Sequence, residues 1–412
     1  MSSRITRVGT RSRLALAAGV LVGLLGCEDY SEPGAAAPVS MSAIEMSAYV
    51  PTADLYVDEG DFARMSARPL DDIEIPGTLT LWRAGEAVCT DDAVELQIKG
   101  SSSAAAPTKA LGVKFDRALR NRAGEFMRVP HVRAGHNFAR VKAFRLRNGG
   151  NNFATSLLKD LAYARLVAAS DLDVLCLYGE PAATYVNGEF YSLHNLRTEN
   201  NTNGISRLLD VDEERLRLAS VEDTADELEI KAGPAAPWRR LEAAVRDGRR
   251  EEVLARLHVP GFIDFLVAGA VFATQDWPHR NVRLYSVDGE PVRFVLYDFD
   301  FAGQAFTRRS PYDFLERGRP SLIRSLFLLC YSDEAFRSQL EARYAETVQS
   351  GVLSDERLRA HFTELAAVYA PVIDQQIARN GYPASRPSWY VDMETSIGDY
   401  AQRYRQLPAT FE

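Results

Sequence analysis

The feature that most constrains the fold is an Asp-Gly pair between two apolar runs in the C-terminal half of the chain. Asp288-Gly289 separates a run at residues 282–287 from a second run at residues 291–297. Asp-Gly in this setting is the strongest short-range signal for a β-hairpin with a two-residue turn. Because the turn length sets the register, the pattern predicts an antiparallel hairpin whose open ends lie side by side.

Polar side chains lie at the open ends of this hairpin. The predicted register places Asn281 opposite Leu296, and Asp298 lies two residues beyond that pair. Side chains alternate along a strand, so Asn281 and Asp298 are expected on one face, roughly 7–8 Å apart. Asp300 shares that face, and Asp276 precedes the hairpin in a loop. An amide and a carboxylate at this separation can hold one divalent metal ion.

This set of polar residues resembles the one in protein-kinase active sites. There an Asp accepts the proton of the substrate hydroxyl, while an Asn and a second Asp hold Mg²⁺ on the nucleotide phosphates. Asp276, Asn281 and the strand-borne Asp298 match that order. The same residues also fit a purely structural role, in which Asp276 caps a turn, Asn281 is buried and Asp298 ends a solvated strand.

The N-terminus has the features of a secretory signal. Arginines precede an apolar run at residues 14–25, which ends at Gly26-Cys27. A basic flank, a short apolar core and a small residue at the cleavage point are typical of such a signal. The end of the run resembles the bacterial lipobox, whose cysteine is lipidated. We predict a signal peptide at residues 1–26, lipidation of Cys27, a flexible tether at residues 27–50 and a lipid-anchored location in the cell envelope.

Composition narrows the classes of partner. The 412-residue chain has 48 basic and 56 acidic residues and a net charge of −8, which argues against nucleic acid as an obligate partner. The four cysteines and six histidines show no paired spacing typical of zinc ligands. The length suits one large two-lobed domain or two ordinary domains.

The periodicity of apolar residues divides the chain into a strand-rich first half, the hairpin and a helical tail. This layout predicts a two-lobed α+β fold. We place the main domain at residues 51–345 and a helical extension packed on it at residues 346–412. The acidic segment at residues 210–229 is poor in aromatic residues and is expected to be a solvated insertion.

A Gly-Ser loop lies between two of the predicted strands. It contains Gly100, Ser101 and Ser102, and the return strand carries Lys109 at its start and Lys114 within it. Backbone N–H groups of such a loop, together with an ammonium group, can bind phosphate. The alternative is an ordinary polar loop with surface lysines.

Seven short motifs follow one another in the order 98–103, 108–115, 146–151, 158–160, 185–191, 276–281 and 297–300. Together they resemble the spore-coat protein H (CotH) kinase family. The resemblance covers about residues 94 to 345 and, more loosely, the C-terminal helices. No single motif is decisive, but their shared order makes coincidence improbable.

Three positions depart from the family pattern. Lys99 stands where the family has Arg before Gly100, and Asn152 replaces an Asp. Thr198 stands where the family has Glu, and Glu199 follows one residue later. A one-residue shift along a strand moves a side chain to the other face, so Glu199 is not expected to replace the family's Glu. The three departures bear on nucleotide binding.

The resemblance implies an atypical protein-kinase-like fold that transfers the γ-phosphoryl group of ATP to Ser or Thr hydroxyls of exported proteins. By this resemblance, Asp276 is the catalytic base. Asn281 and Asp298 bind Mg²⁺ or Mn²⁺, and Asp300 is a further ligand or a carboxylate beside the ligands.

The resemblance also implies how the nucleotide is held. Lys109 or Lys114 would contact the phosphates together with the Gly-Ser loop. Asp160, in a predicted helix at residues 153–169, would be the ion-pair partner of that lysine.

Two other classes of function stay open. A catalytically silent adhesin or envelope scaffold fits Asn152 and Thr198 but leaves the acidic residues unexplained. A glycosyltransferase fits Asp298-Phe299-Asp300, which has the Asp-x-Asp pattern of a metal site. The chain has no nucleotide-binding βαβ start, and this argues against the glycosyltransferase.

Overall fold

The computed structural model describes residues 40–100, 102–119, 141–221, 227–274, 276–304 and 321–411, with the backbone alone at 102 and 117–119. The predicted signal peptide, Cys27, most of the predicted tether and Ser101 lie outside these ranges. Residues 40–412 belong to one structural unit.

The described end of the predicted tether is folded rather than flexible. Ser42 caps a short helix, α1 (Ala43–Met46), through its side chain. Met46 and Val50 are fully buried in the hydrophobic core. Burial of these apolar side chains offsets the entropy lost on ordering the segment. The tether predicted at residues 27–50 therefore ends before Ser42.

Seven strands close into a barrel that the sequence analysis did not predict. The strands of the structure are β1 (Thr52–Val57), β2 (Glu74–Arg83), β3 (Glu86–Lys99), β4 (Ala110–Leu119), β5 (Val141–Arg147), β6 (Leu175–Cys176), β7 (Gly179–Val186), β8 (Glu189–Thr198), β9 (Leu216–Val221), β10 (Glu229–Ala232), β11 (Val282–Val287) and β12 (Arg293–Leu296). The order around the barrel is β1-β2-β3-β4-β5-β8-β7, and β1 and β7 form its one parallel pair. Alternate residues of β3 (Val94, Leu96 and Ile98) are buried in the core, as the period of two requires.

The remaining strands form a second sheet in the order β10-β9-β11-β12-β6. Its inner strand β9 lies within the segment at residues 210–229, which was predicted to be a solvated insertion. Leu216 and Leu218 of β9 are buried. The prediction was wrong because acidic residues flank the strand and dominate the average composition, while the strand itself is apolar.

Helices cover the second sheet and form the C-terminal part of the chain. The helices are α2 (Glu59–Ala67), α3 (Lys159–Ala168), α4 (Thr202–Leu209), α5 (Ala236–Arg246), α6 (Arg250–Arg256), α7 (Val259–Phe272), α8 (Leu322–Tyr331), α9 (Glu334–Ser350), α10 (Asp355–Tyr369), α11 (Ile373–Asn380) and α12 (Arg386–Arg405). Helix α7 is buried along most of its length and packs between β12 and α9. None of the helices within the described ranges is long and apolar enough to cross a membrane.

The fold is mixed α+β with a helical C-terminal part, as predicted. The predicted boundary between residues 345 and 346 is wrong, because it falls inside helix α9. The last helices are tied into the main body of the protein. Helix α10 packs on α3, and the buried guanidinium of Arg403 donates to the carbonyl of Val271 at 2.7 Å.

The turn between β11 and β12 forms where the sequence predicts it. Asp288 and Gly289 have φ angles of 51° and 83°, and the Glu290 N–H donates to the Val287 carbonyl at 2.8 Å. These angles match a type I′ turn, which suits the twist of the flanking strands. The Ser286 hydroxyl donates to the Glu290 carbonyl beside the turn.

The strands of this hairpin nevertheless pair one residue away from the predicted register. Leu284 pairs with Phe294, whereas a strict two-residue loop would pair it with Arg293. The prediction that Asn281 and Asp298 share a face through strand alternation is therefore wrong in its premise. Their side chains still meet, for a reason that lies outside the strands.

Candidate functional site

A polar cleft of about 260 Å³ lies where the barrel meets the second sheet. The barrel contributes β5, β8 and the loop after β3, and the second sheet contributes β11 and the loop after β12. The cleft is lined by Gly100, Ser103, Arg145, Arg147, Asn151, Leu177, Arg197, Thr198, Asn200, Asn281, Arg283, Tyr297, Asp298 and Asp300. It therefore brings the three predicted metal ligands, Asn281, Asp298 and Asp300, and the predicted loop residue Gly100 beside a group of arginines.

Asn281 joins the two acidic residues that the sequence places on either side of it. Its side-chain N–H group donates to Asp276 at 3.1 Å and to Asp298 at 3.2 Å. Asn281 and Asp298 have φ angles of 55° and 63°. Both residues have therefore left the extended conformation, and their left-handed backbones turn the side chains toward each other despite the shifted register.

Arg147 lies between the two carboxylates that follow β12. One terminal nitrogen, Nη2, is 2.7 Å from Asp298 Oδ1 and 2.7 Å from Asp300 Oδ2. Asp300 also accepts a hydrogen bond from the Asn151 N–H at 2.8 Å. This close approach requires Gly150, because a Cβ there would overlap the Asp300 carboxylate.

Asp160 pairs with arginines rather than with a lysine. It lies in α3, is buried, and forms ion pairs with Arg197 and, at 3.4 Å, with Arg147 Nε. It also accepts a hydrogen bond from the Phe299 N–H at 2.9 Å. The expected lysine partner is therefore wrong, and the charge that Asp160 balances belongs to the arginines of β5 and β8.

Neither predicted phosphate-binding lysine lines the cleft. Lys109 is buried, and its ammonium group donates to the carbonyls of Ala104 (2.9 Å) and Ala106 (2.8 Å) in the turn before β4. Lys114 is exposed and pairs at 2.5 Å with Glu95 on the neighbouring strand. Lys109 therefore stabilises its own loop and Lys114 lies on the barrel surface, so neither ammonium group lies in the cleft in this structure.

The Gly-Ser loop contributes to the cleft through Gly100 and Ser103. Gly100 has a φ of 108°, a backbone conformation that residues other than glycine rarely adopt. The backbone of Ser102 begins a single 3₁₀ turn that ends at Ala105. The loop therefore lies at the predicted place, although its lysine points elsewhere.

Thr198 and Glu199, where the sequence departs from the family pattern, have different surroundings. Glu199 is buried, and its carboxylate accepts a hydrogen bond from Arg145 at 3.0 Å. Thr198 lines the cleft and bonds to the backbone of Tyr178 instead. Glu199 is not among the residues that line the cleft, and its carboxylate is linked to the cleft only through Arg145.

Burial and neighbouring charges shift the proton affinities of this site. Burial raises the pKa of Asp276, and the negative charges of Asp298 and Asp300 raise it further. Burial likewise raises the pKa of Asp300, against the opposing effect of Arg147. For Arg147, the carboxylates of Asp298 and Asp300 outweigh burial, so its pKa is raised. The guanidinium therefore stays protonated.

Asn281, Asp298 and Asp300 carry the types of oxygen donor that a hard divalent cation prefers, but the described carboxylates are not grouped as a metal site. Within the described ranges, no group of three or more His, Cys, Asp or Glu side chains is arranged to hold a metal. Asp300 Oδ1, however, is buried without a hydrogen-bond partner among the described residues. Carboxylate and amide oxygens are the donors that Mg²⁺ and Mn²⁺ prefer. Arg147 now holds the place between the two carboxylates.

The arginines of the cleft were not predicted from the sequence. Arg145 and Arg147 lie two residues apart on β5, and Arg145 pairs directly with Arg197 on β8. Period-two spacing would have placed the first two on one face of a strand. Nothing local indicated that β5 and β8 are neighbours, because the β8 hairpin partner is β7.

The family model described as CotH kinase protein matches residues 96–407. This match confirms the resemblance that the motifs indicated and extends it through helix α12. No curated protein matches the chain.

Proposed function

The chain belongs to the CotH kinase protein family, and from this premise we propose that it is an atypical, metal-dependent protein kinase. It transfers the γ-phosphoryl group of ATP to Ser or Thr hydroxyls of exported or envelope proteins. Family membership supports a kinase-like function, and the cleft supports the finer assignment.

One observation carries the assignment: Asn281 bridges Asp276 and Asp298 at the edge of the cleft. In phosphoryl transfer the protein mainly positions groups and offsets charge. Asp276 is the base in this proposal, because burial and its acidic neighbours raise its pKa and strengthen it as a proton acceptor. It would accept the proton of the incoming hydroxyl.

Asn281, Asp298 and Asp300 would hold Mg²⁺ or Mn²⁺ through their side-chain oxygens. When bound, the metal would supply positive charge that offsets the negative charge of the phosphates. Arg145, Arg147 and Arg197 replace the predicted lysines as the phosphate-binding groups. Guanidinium groups suit this role because they present several N–H donors in one plane to phosphate oxygens.

We further propose that the barrel and the second sheet with its helices correspond to the two lobes of a kinase-like fold. The cleft lies between these two parts, where a nucleotide would contact both. Asp160 on α3, paired with the arginines of β5 and β8, then has the role of the helix carboxylate that steadies a phosphate-binding side chain in kinases.

The location is also a proposal. The basic flank, the short apolar run and Gly26-Cys27 support secretion and a lipid anchor in the cell envelope. The partners would be a nucleotide, an exported protein substrate and, through the anchor, the membrane. The net charge of −8 speaks against a nucleic-acid partner.

Asp276→Ala tests the kinase assignment. The variant should bind ATP like the wild type but lose phosphoryl transfer by about 10²–10⁴-fold, because a base acts on the acceptor rather than on the phosphates. Binding is measured by calorimetry with Mg²⁺ or Mn²⁺, and transfer by radiolabelled ATP with envelope proteins as acceptors. A matched control is Asp374→Ala, which removes an exposed carboxylate that does not line the cleft.

A silent scaffold is the second candidate, favoured by the observation that neither predicted lysine lines the cleft. The two candidates differ in the wild-type protein. Failure to bind ATP at millimolar concentration, with either metal present, would establish the scaffold and exclude the kinase.

A further inference from the structure

We propose that Arg147 links nucleotide binding to metal binding. Without nucleotide, its guanidinium acts as an internal counter-cation for Asp298 and Asp300 and keeps metal affinity low. Phosphate groups in the cleft compete for the guanidinium and free the two carboxylates for the metal. This inference rests on the proposed kinase function and concerns the same cleft.

The position of the guanidinium is the first support. A single nitrogen of Arg147 is 2.7 Å from an oxygen of Asp298 and 2.7 Å from an oxygen of Asp300. A metal ion held by both carboxylates would lie within a few ångströms of this positive charge. Repulsion between the two cations is strong at such a distance in a partly buried site. Metal and guanidinium therefore compete for the same pair of carboxylates.

The second support is that both carboxylates have other partners to orient them when Arg147 leaves. Asp298 Oδ2 keeps the hydrogen bond from Asn281 at 3.2 Å. Asp300 Oδ2 keeps the hydrogen bond from the Asn151 N–H at 2.8 Å, and its Oδ1 is buried without a partner among the described residues. An unpaired buried carboxylate oxygen is costly, so this atom favours a ligand.

The third support is that Arg147 has a second carboxylate on which to pivot. Its Nε lies 3.4 Å from Asp160 Oδ2, on the side of α3. Rotation of the terminal nitrogens toward the cleft would keep this contact. The side chain already lines the cleft, beside Arg145 and Arg197. Movement toward phosphate therefore requires a change of side-chain torsion rather than of backbone.

The other arginines of the cleft do not share this arrangement. Arg145 pairs with Glu199 at 3.0 Å, Arg197 pairs with Asp160, and Arg283 donates to the backbone carbonyl of Asn200. All three add positive charge that attracts phosphate. Only Arg147, among the pairs within the described ranges, bonds to both Asp298 and Asp300.

The test compares Arg147→Met with Arg145→Met in the full-length protein. Each variant removes one positive charge from the cleft and retains an unbranched side chain. Mn²⁺ alone is the first probe, and its affinity is measured by electron paramagnetic resonance in the absence of nucleotide. We expect Arg147→Met to bind Mn²⁺ about tenfold or more tightly than the wild type, because a competing charge has left its ligands. Arg145→Met should change the affinity by less than about threefold.

The second probe is a fluorescent ATP analogue in the presence of EDTA. Arg147→Met should bind it about fivefold or more weakly than the wild type, because one phosphate contact is lost. Arg147→Lys keeps the charge without the forked geometry and should fall between wild type and Met in both assays. It also provides a second comparison for folding, because Met removes the ion pair with Asp160 whereas Lys keeps a positive charge in the same side chain.

The outcomes separate this inference from the proposed function. Wild-type protein that binds no nucleotide overturns the kinase assignment and the linkage together. Nucleotide binding by the wild type, with Mn²⁺ affinity unchanged or weaker in Arg147→Met, overturns the linkage alone. Equal tightening of Mn²⁺ binding in Arg145→Met and Arg147→Met also overturns it, because net charge would then explain the effect.

Discussion

Replacement of Asp160 by alanine should destabilise the protein strongly, although the residue is not expected to contact any substrate. Its carboxylate is 1% exposed and lies between the guanidiniums of Arg147 and Arg197. Removing one partner of a buried ion pair leaves an uncompensated charge and costs about 3–5 kcal/mol. The Phe299 N–H would also lose its acceptor, at a cost of about 1–3 kcal/mol.

The two losses share one side chain and do not add fully, so we expect the free energy of unfolding to fall by about 4 kcal/mol. Asp160→Asn keeps an acceptor for the Phe299 N–H but loses the charge, and we expect a smaller fall of about 3 kcal/mol. Without Asp160, the positive charges of Arg147 and Arg197 also face each other. Burial, and after it the repulsion from Arg147, already lowers the pKa of Arg197.

The assay is urea unfolding followed by fluorescence of the buried tryptophans, with the slope of the transition compared between variants. Asp374→Ala is the control, because it removes an aspartate from an ion pair with Arg386 that is exposed to solvent. Exposed pairs contribute about 0–1 kcal/mol. A loss below about 1 kcal/mol in Asp160→Ala would refute the view that Asp160 is the buried counter-charge of these arginines.

The remaining predictions concern pH, the two lysines and the anchor. Burial and the charge of Asp298 raise the pKa of Asp276, whereas Arg280 lowers it. Arg280→Met should therefore move the acid limb of the kcat/KM profile to higher pH. Lys114→Met should leave ATP affinity within about twofold of wild type in calorimetry, because its ion pair is exposed and outside the cleft. Lys109→Met should lower the urea stability by about 2 kcal/mol, because two carbonyls lose their charged donor. Cys27→Ser should abolish lipidation. Mass spectrometry that finds an unmodified Cys27 in the wild type would contradict the predicted lipid anchor.

Local signals in the sequence were sufficient for the turn, the order of the site residues and the family. Asp-Gly specifies a type I′ turn because both residues tolerate positive φ, and Asp288 and Gly289 adopt it. Asp276, Asn281 and Asp298 flank a single hairpin, so the sequence indicated that they lie near one another, although the left-handed backbones of Asn281 and Asp298 and not the strand register bring the side chains together. The mixed α+β class and the helical C-terminal part also follow from local periodicity.

The tertiary structure alone decided which basic residues share the cleft with these carboxylates. Arg147 and Asp300 are separated by 153 positions, and Arg147 and Asp298 by 151. The pairing of β5 with β8 places Arg145 beside Arg197, and the junction of the barrel with the second sheet brings these strands to the loop after β12. No local pattern specifies either contact. Lys109 has the position in the sequence that was expected of a phosphate-binding lysine, but its ammonium group donates to two nearby backbone carbonyls.

The β11–β12 hairpin also combines a feature that the local sequence determines with one that the tertiary structure decides. The sequence determined the turn, but the register is also set by the pairing of β11 with β9 on its other side. A strand with neighbours on both edges takes the register that satisfies both sets of hydrogen bonds and buries its apolar face. The sequence alone therefore indicated which acidic and amide groups form the site, whereas the basic residues beside them and the partners of each charge depended on contacts between distant segments.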